Sequence, residues 1–256
     1  MSVSHPSESE VRSYCRSFPK LFSKAKGSLV FDEDGNEYVD FFAGAGTLNY
    51  GHNNDLLKKP IIEYLEADGI LHGLDMSTEA KNKFIESFQK YILEPRNLDY
   101  KIQFSGPTGT NAVEAALKLA KKYTKRQGIV SFTNGFHGMT MGSLAITANE
   151  NYRKNIGHIA DQATFMPFEN YLGDEVDTID VFRKYLEDTS SGMDTPAAVI
   201  IETVQGEGGI NVASKFWLKR LSALCKEYKI LLIIDDIQIG CGRSGDFFSF
   251  EFAEIK

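Results

Sequence analysis

Cysteine is scarce in this 256-residue sequence. Cys15, Cys225 and Cys241 are the only three, and no C-x-x-C spacing occurs. That excludes a disulfide framework and a structural zinc site, no metal is expected, and the usage fits a reducing compartment. Long apolar runs are also missing: the longest aliphatic one, Ile230 to Ile234, is far too short to span a bilayer. The opening MSVSHPSESE is polar and acidic. It reads as a frayed terminus and not as a secretory leader. Positive charge is in deficit, with 28 Lys+Arg against 35 Asp+Glu and a net charge of −7. No basic cluster stands out, so nucleic acid and anionic membrane are poor partners. What remains, 42% hydrophobic and 25% charged residues, is the composition of a soluble cytoplasmic protein with a buried core.

The pattern along the chain is that of an α/β protein. Leu29–Phe31 and Tyr38–Phe41 flank Asp34-Gly35-Asn36 and predict a hairpin with Asp34-Gly35 in its turn. A glycine-rich stretch, Ala43 to His52, then forms a seam before the main domain. Helical spacing is read at about 55–67, 78–93, 111–123, 176–187 and 214–228. Between these fall short apolar runs at 101–104, 129–132, 163–166, 197–201 and 230–234. Short β-rich runs alternating with helices predict a mostly parallel sheet with flanking helices. No internal repeat, low-complexity tract or long linker interrupts the order.

In open parallel sheets, ligands sit beyond the carboxyl ends of the strands. After Phe104 comes Ser105-Gly106-Pro107-Thr108-Gly109-Thr110-Asn111 and then a helix over 112–123. Asn111 with Glu114 resembles a capping box, and Glu114 with Lys118 makes an i,i+4 pair. A glycine-rich turn opening a helix suits a phosphate, although a plain capped loop reads the same way. After Phe132, Phe136-His137-Gly138 offers an aromatic that either stacks on a planar ligand or anchors in the core. Glu202 ends the next apolar run and calls for a partner if buried. Asp235-Asp236 ends the most apolar run of the chain, so one of the two acids is expected to be buried against a cation. Gly240 to Gly245 satisfies G-x-G-x-x-G, but an aromatic-rich stretch follows it where a dinucleotide site needs a helix. A phosphate cradle, a stackable aromatic and a strand-end acid together fit a phosphorylated, cationic aromatic ligand.

Two segments, Glu202-Thr203-Val204-Gln205-Gly206-Glu207-Gly208-Gly209 and Asp235-Asp236-Ile237-Gln238-Ile239-Gly240-Cys241-Gly242-Arg243-Ser244-Gly245, resemble signatures of the class III, pyridoxal 5′-phosphate (PLP)-dependent aminotransferases. Thr108 to Glu114 and Phe136-His137-Gly138 resemble that family's phosphate loop and ring-stacking motif. The likeness runs from about residue 10 to the last residue and implies the fold-type I large domain. It implies residues 1–48 as part of a small domain and 49–256 as the cofactor-binding large domain, incomplete at the C-terminus. It further implies that Gly109 and Thr110 hold the phosphate, Phe136 stacks on the pyridine ring with His137 beside it, and Ile237 packs on the opposite face. Asp235 would pair with the pyridine nitrogen, Gln238 would reach the ring hydroxyl, Glu202 would brace the network, and Glu207 would gate the substrate. Asn111 stands where the family usually has glutamate.

Within the family, the stretches 42–54, 69–75 and 104–114 are similar to a branch passing the amino group of L-glutamate to L-aspartate 4-semialdehyde, at the head of ectoine biosynthesis. A homodimer or higher homo-oligomer follows from the same likeness. Other ω-amino donors (ornithine, 4-aminobutyrate, acetylornithine) are the alternatives inside the class, and a non-catalytic PLP-binding or dimerisation fragment is the alternative outside it. The family's Schiff-base lysine is expected roughly thirty residues past the acid at Asp235, beyond the end of this sequence. Lys256 lacks the loop context for that role, so the 256 residues by themselves are expected to be inactive.

Overall fold

The computed structural model describes residues 5, 7–10, 18, 20–154 and 163–255; Cys15, Lys256 and half of the opening decapeptide lie outside them. The chain divides into two compact units, Met1–Lys101 and Ile102–Lys256, with residue 48 inside the first.

The first unit opens with a three-stranded antiparallel sheet of β1 (Phe22–Lys26), β2 (Leu29–Asp32) and β3 (Glu37–Val39) in that spatial order. The expected hairpin is the β2–β3 pair. Gly35 takes φ +84° in its turn, a value that a side chain would strain. Asp32 locks this turn by accepting from the Asp34 and Asn36 N–H groups, the Asn36 amide and the Tyr38 hydroxyl. Those donors, Asn36 first, hold the Asp32 carboxyl well below the usual carboxylate range. The glycine-rich stretch is stitched to β1: His52 meets Asp40 at 2.7 Å, exchanges backbone hydrogen bonds with Gly27, and is followed by Asn53, whose amide donates to Ala25 O.

Two amphipathic helices follow, α1 (Asp55–Glu66), capped by Asn54, and α2 (Glu79–Phe88), capped by Thr78. The second runs on as a π-helical turn, Gln89–Leu93, and a 3-10 turn, Glu94–Arg96. Neither α1 nor α2 buries a residue. Among the described residues the only buried hydrophobic side chains of this unit are Leu93 and Leu98.

The second unit is built around four parallel strands: β4 (Ile129–Phe132), β5 (Ala163–Met166), β6 (Ala198–Ile201) and β9 (Leu231–Ile234), in the order β5-β4-β6-β9. A two-residue hairpin of β7 (Val204–Gln205) and β8 (Asn211–Val212) follows β6. Helices α3 (Gly109–Thr124), α6 (Thr178–Glu187) and α7 (Lys215–Glu227) cover the sheet, and α4 (Met141–Ala145) and α5 (Glu150–Arg153) are short turns after β4.

The two-residue period of the central strands sorts the core. Val130, Phe132, Val199 and Ile201 face one way, packing with Ile179 and Phe182 of α6 and Leu218, Leu221 and Leu224 of α7. Ile129, Ala198 and Ile200 face the other, against Val113, Leu117 and Ala120 of α3. Strands buried on both faces read as continuous apolar runs, which is why they were visible in the sequence. Trp217 sits in the first layer with its ring centroid 5.3 Å from those of Phe132 and Phe168, and its indole N–H donates to Thr178 Oγ1 at 2.7 Å.

Two expectations are corrected here. Residues 101–104 form no strand: Lys-Ile-Gln-Phe alternates and finds no ladder partner, and Phe104 is left more than half exposed. Helix α3 starts two residues before 111. Its N-cap is Thr108, whose N–H and hydroxyl both donate to Asn111 Oδ1, so the capping box joins 108 to 111 and not 111 to 114. That shift makes Gly109 the first helical residue.

Candidate functional site

The carboxyl ends of β4, β6 and β9, with the N-terminus of α3, bring most of the expected residues together. Beyond β4 the chain turns at Asn134, in the left-handed region, and Gly135. It then presents Phe136 and His137. The His137 N–H donates to Thr147 Oγ1 at 3.0 Å, and Thr147 also bonds the carbonyls of Gly138 and Ser143, so this loop is tied to its own continuation.

His137 and Asp235 form the centre. His137 Nδ1 lies 2.8 Å from Asp235 Oδ2, and both side chains are almost wholly buried. The other carboxylate oxygen of Asp235 accepts the Ile237 N–H at 3.2 Å. Of the two acids it is therefore Asp235 that is buried, and the side chain facing it is a histidine. Its neighbour Asp236 accepts instead from the Ser249 N–H and hydroxyl, and burial pushes its carboxyl up.

Glu202 is buried at the end of β6 and its Oε2 accepts the Phe136 N–H at 3.0 Å. Burial raises its pKa to about 7, against the lowering pull of His137 and the Phe136 N–H. Glu202 thus does have a partner, and that partner is the backbone of the aromatic residue. Removing that acceptor altogether would leave the Phe136 N–H without its partner.

The α3 end is shaped by close approach. A Cβ on Gly109 would stand 2.7 Å from Ile237 Cγ2, so only glycine lets Ile237 lie against the first turn of the helix. A Cβ on Gly138, at φ +120°, would come within 2.5 Å of Thr110 Oγ1. Thr110 joins a hydroxyl cluster: its Oγ1 is 2.7 Å from Thr140 Oγ1 and 2.8 Å from Ser143 Oγ. Glu114 Oε1 anchors this cluster by accepting from the Thr140 hydroxyl (2.7 Å) and the Gly142 N–H (2.8 Å). The carboxylate expected to pair with Lys118 is therefore turned to the loop after His137. The first N–H groups of a 16-residue helix, beside three hydroxyls, form a donor set suited to a phosphate.

Gln238 and Glu207 complete the rim. Gln238 Nε2 donates to Glu207 Oε1 at 3.3 Å, and a Cβ on Gly206 would overlap the Gln238 amide. Gly208 likewise lets its turn press on the Asn134 carbonyl. Phe136 is not isolated: its ring meets Tyr152 edge-on at 5.3 Å. A cavity of about 480 Å³ opens beside it, lined also by Arg153, Phe165, Tyr171 and Glu207. Tyr152 and Arg153 were not visible as site residues in the sequence, since they sit in a four-residue helix with no motif around it. The G-x-G-x-x-G match is a turn, closed by Cys241 N–H to Phe247 O and Gly242 N–H to Asp246 O, and opens no helix.

The chemistry of the donor set matches a phosphorylated aromatic cation. The donor set at the start of α3 lies against the aliphatic Ile237, the buried Asp235 carboxylate meets His137, and the neighbouring Phe136 is held by Glu202. Comparisons with known proteins agree. The class III aminotransferase family model matches residues 13–256. A diaminobutyrate–2-oxoglutarate transaminase of Bordetella parapertussis is 59% identical over 249 residues, covering 97% of this chain and 57% of that protein. One from Streptomyces avermitilis is 60% identical over 255 residues, 100% of this chain and 60% of the relative. The crystal structure of an amine transaminase from an uncultivated Pseudomonas species, in its PLP-bound form, superposes with a TM-score of 0.82 at 25% identity. It is covered over 60% of its length by 100% of this chain. The chain thus spans little more than half the length of the curated relatives it matches.

Proposed function

The chain belongs to the class III aminotransferases, and from that premise we propose that the whole protein transfers the amino group of L-glutamate to L-aspartate 4-semialdehyde, giving 2-oxoglutarate and L-2,4-diaminobutyrate. The observation that carries this reading is identity near 60% along the entire chain to relatives of that name. The first step of ectoine synthesis is the role it would fill, in the cytoplasm.

PLP is the cofactor that the strand-end residues fit. When bound, it supplies an electron-withdrawing pyridinium ring that accepts the electron pair released at the substrate carbon bearing nitrogen. The N–H groups of Gly109 and Thr110 and the Thr110 hydroxyl would hold the phosphate. Phe136 and Ile237 would cover the two faces of the ring and keep water from it. Asp235, held by His137 and the Ile237 N–H, would receive the pyridine N–H and keep that proton in place. Gln238 would donate to the ring hydroxyl. Glu202 positions Phe136 through its backbone, and Glu207 would gate the substrate from the rim. Residues 1–48 are assigned to a small domain and 49–256 to the cofactor domain.

A homodimer is part of this reading. Its support is the exposed apolar face of α1, where Leu56, Leu57, Ile61, Ile62 and Leu65 all lie open.

The test is direct. Full-length protein with PLP should form L-2,4-diaminobutyrate from the semialdehyde only when L-glutamate is present, followed by chromatography of the product. Absence of that product, with turnover of ornithine or 4-aminobutyrate instead, would replace the substrate and keep the class.

A further inference from the structure

Arg153 ends the short helix α5 and lines the cavity beside Phe136. Of its guanidinium donors, one Nη2 N–H goes to Ala148 O at 2.9 Å. The plane lies over Phe165, with 5.4 Å from the guanidinium carbon to the ring centroid. The Nε atom is buried and makes no hydrogen bond, and among the described residues no carboxylate pairs with this side chain. A half-buried cation with most of its fork unused is costly unless an anion completes it. Guanidinium geometry selects that anion, because two parallel N–H groups match the two oxygens of a carboxylate.

Glu207 lines the same cavity. One positive and one negative side chain, framed by Phe136, Tyr152 and Phe165, complement neither a diamine nor a diacid. They complement the α-ammonium and α-carboxylate of an amino acid. We propose that Arg153 reads the α-carboxylate of the ω-amino substrate while that substrate's distal nitrogen reacts beside Phe136, with Glu207 facing the α-ammonium. This assignment rests on the proposed reaction and names its specificity-determining residue.

The test compares L-2,4-diaminobutyrate with 1,3-diaminopropane, which is the same molecule without the carboxylate. In the full-length enzyme loaded with PLP, Arg153→Gln should raise KM for diaminobutyrate by roughly ten- to a hundredfold, the worth of a charged hydrogen bond. Its kcat should stay within about threefold, and kcat/KM for 1,3-diaminopropane within about twofold. Arg153→Lys should recover part of the loss. L-Homoserine carries the same α-groups with a hydroxyl in place of the reacting nitrogen. Its calorimetric binding should weaken in parallel, a readout independent of turnover.

Equal loss with both amines, or unchanged KM and homoserine binding in Arg153→Gln, overturns the assignment. If the wild type ignores diaminobutyrate, it is the reaction that has been misread. Ornithine and putrescine then form the equivalent pair, and loss on ornithine alone still supports Arg153 while equal loss refutes it.

Discussion

The two units of this chain spend similar apolar material in opposite ways. In Ile102–Lys256 the apolar residues of β4 and β6 and of the inward faces of α3, α6 and α7 vanish from solvent; Phe182, Leu218, Leu221 and Leu224 are completely buried. In Met1–Lys101 the helices are just as amphipathic, yet Leu56 is 85% exposed and no residue of α1 or α2 is buried. Periodicity tells which residues share a face, but it does not say what that face meets. The second unit meets its own sheet. The first carries apolar faces that no described residue of the unit buries.

The sharpest way to break this contrast is truncation of one leucine in each unit. Leu218→Ala should cost about 2–5 kcal/mol by leaving a cavity in a fully packed layer. Leu56→Ala should change the unfolding free energy of the 256-residue chain, read from urea denaturation, by no more than about 0.5 kcal/mol. Comparable losses at both sites would mean that α1 is packed in solution and the contrast fails.

Next in size is the titration of Glu202. Its folded pKa, about 7, exceeds its ordinary value of 4.5, so folding favours the protonated form. Stability from this group is full below about pH 4.5 and is lost as pH rises through about 7. The loss is on the order of 3 kcal/mol. In the chain without cofactor, Glu202→Gln should remove this slope, so that wild type and variant converge at pH 5 and the variant is the more stable at pH 8.5. Parallel curves in chemical denaturation across that range would show that Glu202 does not titrate where its burial places it.

A smaller loss is expected at the α3 terminus. Gly109→Ala should cost about 1–3 kcal/mol through collision with Ile237, and Ile237→Ala in the same chain should recover most of it. An additive pair of losses would show that the two residues do not touch.

Much of the second unit was legible because buried parallel strands write themselves as unbroken apolar runs, and because the acids that follow them at Glu202 and Asp235 are chemically out of place in a core. The β2–β3 hairpin was legible from Asp34-Gly35 for an equally local reason. What stayed hidden depends on contacts between distant residues. Nothing in the spacing shows that Glu114 turns from Lys118 toward Thr140 and Gly142, 26 and 28 residues on. Nor does it show that Arg153 arrives beside Phe136. Residues 101–104 had the alternation of a strand but no neighbour to bond, and alternation alone makes no ladder. The α3 cap was misplaced because Asn111 is a good capping residue at either position. Only Thr108, whose own hydroxyl turns to the same asparagine, decides it.

Trp217 is the sole tryptophan in these 256 residues, wedged between Phe132 and Phe168 with its N–H on Thr178. Its emission is therefore a private signal from the sheet unit, silent about the first hundred residues. Phe132 closes the strand from which Phe136 and His137 hang, so the same fluorescence reports whether the footing of the crevice is intact. A melt followed by emission and by far-ultraviolet dichroism together would separate the two units without a label.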